Sequence, residues 1–221
     1  MEVSKNGRLH IAESPQNLQD YLATFFSYLF HPILLIGWTA CYLLYYNPVV
    51  FVGLNDDDKL LVLLRIFGTS MIMPLITVIL LKALGFIDTI GLKTQKERII
   101  PYVACITFFF WSYYVSKKLD DPFELRAFLL ALFLTASVSL LLNNYFKISM
   151  HALGFGGVHA LLIMMLFNQR LSDGFILIIF LLLGGIVTMA RLYQKQHHPF
   201  EIYAGYITGA IIQIFSWWFL S

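Results

Sequence analysis

Arg191, His197 and Glu201 fall in the stretch ARLYQKQHHPFE, an island of polarity between two apolar runs. A cation, a titratable imidazole and a carboxylate at membrane-like depth are each costly unless they have a partner or a task. Pro199 stands where a last helix should begin, since proline's missing N–H has no intrahelical partner in a first turn. His197 to Glu201 is therefore expected to straddle a helix N-terminus, with Glu201 one turn beyond His197. That spacing lets the carboxylate bond one imidazole nitrogen and leave the other available for nucleophilic attack. The unpaired N–H groups and positive dipole end of such a helix start favour an anion. With Arg191 arriving from the preceding span, the expected ligand is a phosphate.

A second polar cluster supplies complementary parts. In NNYFKISMHALGFGG, Lys147 and Ser149 offer donors, and His151, also near a helix start, is a titratable group suited to protonating a departing oxygen. A third cluster, Lys93, Lys96 and Arg98, lies in GFIDTIGLKTQKERIIP. Each cluster has a plainer reading: a polar helix junction, a snorkelling arginine at a span end, a basic loop drawn to lipid headgroups. His159, deep in an apolar run, reads as a hydrogen-bonded packing residue. His31 beside Pro32 reads as structural, and Asp56-Asp57-Asp58 as a helix cap. Gly154, Gly156 and Gly157 would admit either a neighbouring helix or a ligand close to the backbone.

The elements that must position these residues follow from composition. The chain has 221 residues, of which 59% are hydrophobic and 13% charged, and its mean hydropathy of +0.74 excludes an ordinary soluble domain. Several apolar runs exceed the roughly 18 residues of a spanning helix, and they do not alternate as barrel strands do. The expected fold is all-α, a polytopic transmembrane bundle of about six to seven spans. They are placed near 22–46, 60–84, 102–115, 127–142, a fifth ending near Phe167, 175–190 and 202–220. Residues 1–21 are read as a polar N-terminal tail without the apolar core of a signal peptide, and 22–221 as one transmembrane domain. Two spans separate Lys93–Arg98 from Ser149–His151, and two more separate His151 from His197, so all three clusters are expected on one face. A net charge of +2 with scattered Lys and Arg argues against a nucleic-acid partner. Cys41 and Cys105, both inside apolar runs, suit neither a disulfide framework nor a thiolate metal site.

In this order the clusters resemble the signatures of the type-2 phosphatidic acid phosphatase superfamily, over roughly residues 85 to 215. Arg191, His197 and Glu201 resemble the third signature, Ser-Arg, five residues, His, three residues, Asp. Ser149-Met150-His151 resembles the second, Pro-Ser-Gly-His, and Lys93 to Pro101 the first, a Lys followed after six residues by Arg-Pro. The departures are Ile100 for Arg, Ile148 for Pro, Met150 for Gly, Ala190 for Ser and Glu201 for Asp. The resemblance implies phosphoryl transfer from a lipid phosphate without metal or cofactor. His197 would attack phosphorus to give a phosphohistidine, with Glu201 orienting it, and His151 would protonate the leaving alkoxide and then help water attack. Lys93, Arg98, Lys147, Ser149 and Arg191 would hold the phosphoryl oxygens. It also implies a multi-pass protein, in a bacterial inner membrane, whose pocket faces the periplasm or exterior at headgroup level. Transfer to an acceptor alcohol, and a silent headgroup-binding protein, stay open beside hydrolysis.

Overall fold

The computed structural model describes residues 17–89, 91–92, 94–171 and 174–221. Regular structure among them is helical throughout: α1 (Leu18–Leu29), α2 (Pro32–Cys41), α3 (Asp56–Ile66), α4 (Met73–Ala83), α5 (Gln95–Lys118), α6 (Phe123–Leu142), α7 (Met150–Phe167), α8 (Phe175–Tyr193) and α9 (Pro199–Leu220). Among the described residues, five stretches are long and apolar enough to cross a membrane, or six if the bent α1–α2 pair is one span. Their outer faces stay apolar: Leu75, Ile79 and Leu80 on α4, and Ile178, Leu182 and Met189 on α8, are exposed.

The first expected span is broken. α1 and α2, the latter extended by a π-helical turn to Tyr46, meet at 60°. Pro32 opens α2, where its missing N–H costs nothing, and its ring prevents α1 from continuing. α1 also begins at Leu18, so the expected tail loses residues 18–21 to a helix. One of its faces, Leu18, Tyr21, Leu22, Phe25 and Tyr28, is exposed and apolar, while Ala23 and Ser27 are buried.

Elsewhere the helices outrun their expected bounds because polar residues cap and extend them. α5 starts at Gln95 rather than near 102, since Thr94 accepts the Glu97 N–H and the Glu97 carboxylate takes back the Thr94 N–H. Asp56, Asp57 and Asp58 form the first turn of α3 behind an Asn55 cap. α3 and α4 run on through a π-helical stretch, Phe67–Ile72, just before Pro74.

The pair that sets the site is α7 and α9. A Cβ added at Gly156 would lie 2.1 Å from the Tyr206 carbonyl oxygen, and one at Gly209 would lie 2.0 Å from that of Leu153. Only glycine permits this approach, as in small-residue packing between membrane helices. For Gly156 the occupant is therefore a helix rather than a ligand. The two helices run parallel, and the Ser149 N–H donates to the Glu201 carbonyl at 3.3 Å, so both N-termini sit at one level. His159 makes two bonds inside the bundle, to the Tyr206 hydroxyl at 2.7 Å and from Nε2 to the Phe180 carbonyl at 2.8 Å. It is a packing residue, as expected.

Candidate functional site

The turn from α8 to α9 builds the centre of the site. Lys195 takes a left-handed conformation (φ 52°), which folds Gln196 back so that its N–H bonds the Arg191 carbonyl at 3.2 Å. Arg191, in the last turn of α8, and His197, just ahead of α9, thereby face one pocket. His197 Nδ1 lies 2.7 Å from the Glu201 carboxylate, whose same oxygen also accepts the His198 N–H at 3.2 Å. A carboxylate only accepts, so the imidazole proton sits on Nδ1 and the Nε2 lone pair remains for the pocket. Burial pushes the His197 pKa below its ordinary value, and the bond with Glu201 opposes that shift.

His151, the second residue of α7, also lines this pocket. Its Nε2 lies 3.0 Å from the Ser27 carbonyl of α1, and because a carbonyl only accepts, Nε2 carries its proton. Arg98, 6% exposed, reaches the same pocket from α5. It is clasped by two carbonyls, Nε donating to Leu92 at 2.9 Å and Nη1 to Ile148 at 3.0 Å. Reciprocal amide bonds between Gln95 and Asn143, of 2.7 and 2.8 Å, hold the start of α5 against the loop before α7. Arg191 gives Nη1 to the Gln194 side chain at 3.1 Å, while its Nε is buried without a partner among the described residues.

Other expected residues take different places. Ser149 is fully buried at the N-cap of α7, its hydroxyl oxygen accepting the Ala152 N–H at 3.5 Å, and it stands outside the pocket lining. Its observed work is to start α7 and so to set His151. Lys147 lies behind the pocket and ties the two loops together, Nζ to the Gln196 carbonyl at 3.5 Å. Burial, then the charge of Arg98, lower its pKa. Ile100, where the resemblance calls for arginine, is 45% exposed and outside the lining. Lys93 lies outside the described residues.

Sequence reasoning missed the contribution of α1 and α2. Asp20, Thr24, Ser27, Tyr28 and His31 all line the pocket, and Gln194 is held to Thr24 by a 3.0 Å bond. The available signal was the pair His31-Pro32, which repeats His198-Pro199: in both, a histidine caps a helix whose first residue is proline.

A second cavity shares His31, Pro32, Gly91, Arg98 and Met150 with the first and continues into the bundle among apolar side chains such as Ile36, Val78, Phe109 and Phe128. Taken together, the polar pocket can hold an anion between two guanidinium groups and present a positioned imidazole lone pair to it, beside a cavity fit for hydrocarbon. Compared with protein-family models, with curated proteins and with solved structures, the chain has no match.

Proposed function

We propose that this chain is an integral-membrane phosphatase that hydrolyses a phosphomonoester or pyrophosphate of a lipid through a phosphohistidine. The observation that carries the reading is the convergence of the Glu201-bound His197, Arg191, Arg98 and His151 on one polar pocket that abuts an apolar cavity. Uncatalysed phosphate-monoester hydrolysis is so slow that accelerations of up to about 10²¹ are known, and most of that must come from positioning and charge stabilisation. A buried arginine, Arg98, and a half-buried one, Arg191, at one pocket provide the charge. The helix starts of α7 and α9, locked in register by glycine contacts, provide the positioning.

In this mechanism His197 Nε2 attacks phosphorus and the P–O bond to the lipid breaks. The imidazolium that forms is stabilised by Glu201 through Nδ1. His151 gives its Nε2 proton to the departing oxygen, which takes the place that the Ser27 carbonyl holds in this structure. Water then attacks phosphorus, the P–N bond to His197 breaks and releases inorganic phosphate, and His151 accepts the proton of the water. Arg191 and Arg98 bind the non-bridging oxygens, Lys147 adds positive potential from behind, and Ser149 positions rather than binds. The resemblance to the type-2 phosphatidic acid phosphatase signatures agrees with the roles of His197, Glu201, His151, Arg191 and Arg98, and differs at Ser149 and Lys147.

Purified protein in detergent, given a panel of lipid phosphates, is expected to release inorganic phosphate. His197→Ala should abolish release, a loss of about 10⁴-fold or more for a nucleophile. His151→Ala should also lose turnover. Equal activity in both variants and the wild type would overturn the assignment.

A further inference from the structure

Three of the helices that start at the pocket bring a histidine with them: α7 brings His151, α9 brings His197, and α2 brings His31 at its N-cap. The third of these has no place in the scheme above. His31 Nδ1 accepts the Ile33 N–H at 3.4 Å, which fixes the neutral ring with its proton on Nε2. That nitrogen has no hydrogen-bond partner among the described residues. The ring packs edge-on against His151, with centroids 5.7 Å apart, and it lines both the polar pocket and the apolar cavity. It therefore stands where a lipid phosphate would pass from headgroup to chain. The pocket also has room for another donor: the position that would carry an arginine in the first signature is Ile100, which faces away, and Arg98 spends two of its N–H groups on carbonyls.

We propose that His31 is a direct ligand of the phosphoryl group, donating Nε2–H to a non-bridging oxygen where the polar pocket meets the apolar cavity. This rests on the reading of the pocket as a phosphoryl site. The ring is offered with its donor already oriented, because the helix cap holds the other nitrogen. His31 is thus a binding residue set by the α1–α2 elbow, and the break between those helices is what delivers it.

Capping and phosphate binding can be separated. Asparagine is among the best N-caps and can still accept the Ile33 N–H, but it is too short to replace the imidazole donor. Binding of inorganic phosphate to detergent-purified protein, read by calorimetry, and turnover of a lipid phosphate are measured together. His31→Asn is expected to melt with the wild type, to bind phosphate about ten- to a hundredfold more weakly, as for loss of a hydrogen bond to a charged group, and to show a raised KM. His31→Gln, longer and carrying an N–H donor, should recover part of that affinity, which a merely structural role would not produce. Phosphate binding by His31→Asn and His31→Gln equal to the wild type overturns the proposal, whether or not the wild type turns lipid phosphates over. So does a wild type that binds no phosphate. A wild type that binds phosphate, loses it in His31→Asn and hydrolyses nothing would support His31 as a ligand while overturning the phosphatase reading.

Discussion

The two ends of the bundle treat charge in opposite ways. At the end away from the pocket, arginines meet carboxylates: Arg65 with the buried Asp121, Arg126 with Asp120 at 3.4 Å, Arg170 with Glu124 at 3.6 Å. At the pocket end, neither Arg98 nor Arg191 has a carboxylate within salt-bridge distance among the described residues. Arg98 rests on two carbonyls and Arg191 on an amide oxygen. The carboxylates there are engaged elsewhere: Glu201 by His197, Asp20 by the Asn17 N–H, Glu97 by Thr94 and the N–H groups of Asp88 and Thr89. Paired charges close a bundle end and hold its turns together. Cations wholly or partly withdrawn from water without a counter-charge are costly in the empty protein and become favourable when an anion arrives, which suits the proposed site better than a seam.

The strongest way to break this comparison is to disturb the carboxylate that holds His197. Glu201→Gln is expected to lower kcat by about 10³- to 10⁴-fold, the scale on which an imidazole nucleophile or base loses function when its orienting carboxylate is neutralised. The same variant has a pH signature. In the proposed mechanism His197 must be neutral to attack, and its pKa lies below the ordinary 6.5 or so because burial disfavours the charged ring. The acid limb of kcat/KM in the wild type should therefore fall below that value. Glu201 opposes the burial effect, so removing its charge lowers the pKa further and moves the limb to still lower pH. A limb that moves up in Glu201→Gln would contradict the pairing.

Arg191→Lys should come next. A lysine keeps the charge but loses the planar fork that binds two oxygens at once, so kcat/KM is expected to fall about 10²-fold. Arg126→Lys, at the other end and paired with an exposed Asp120, should leave turnover nearly unchanged. A similar loss in both would mean that neither the pocket end nor the lack of a carboxylate partner sets the effect.

Much of this arrangement was legible in the chain because the informative residues punctuate helices. Pro199 and the polar run before it placed a helix start at His197, and the four-residue step to Glu201 foretold the bond between them. Helix lengths were less legible, since polar residues that read as loops, such as Gln95 to Glu97 and Lys117-Lys118, belong to α5 at its two ends. The capping place of Ser149 is not legible, because a hydroxyl beside a histidine looks the same in sequence whether it caps a helix or meets a ligand; the structure shows it buried with its hydroxyl on the Ala152 N–H. The largest omission, His31, has a geometric cause. A histidine and a proline inside one apolar run suggest a kink in a continuous span, while the actual break turns α1 aside and brings residues more than a hundred positions apart in sequence into one pocket, as in the 3.0 Å bond between His151 and Ser27.

Arg65→Ala inverts the comparison. Asp121 is buried with Arg65 as its ion-pair partner, so deleting the arginine strands a carboxylate away from water, at a cost of about 3 kcal/mol, the low end for breaking a buried pair. Thermal melting in detergent should fall, while kcat/KM of the protein that remains folded should match the wild type. Replacing both partners by apolar residues, Arg65→Met with Asp121→Leu, should recover most of the lost stability, because the penalty lies in the unpaired charge and not in the missing attraction. No such double replacement can rescue Arg191, whose proposed role at the other end depends on the absence of a carboxylate partner. If Arg65→Ala instead reduced turnover while leaving the melting temperature unchanged, the two ends would be exchanging roles, and the unpaired arginines would no longer distinguish the pocket.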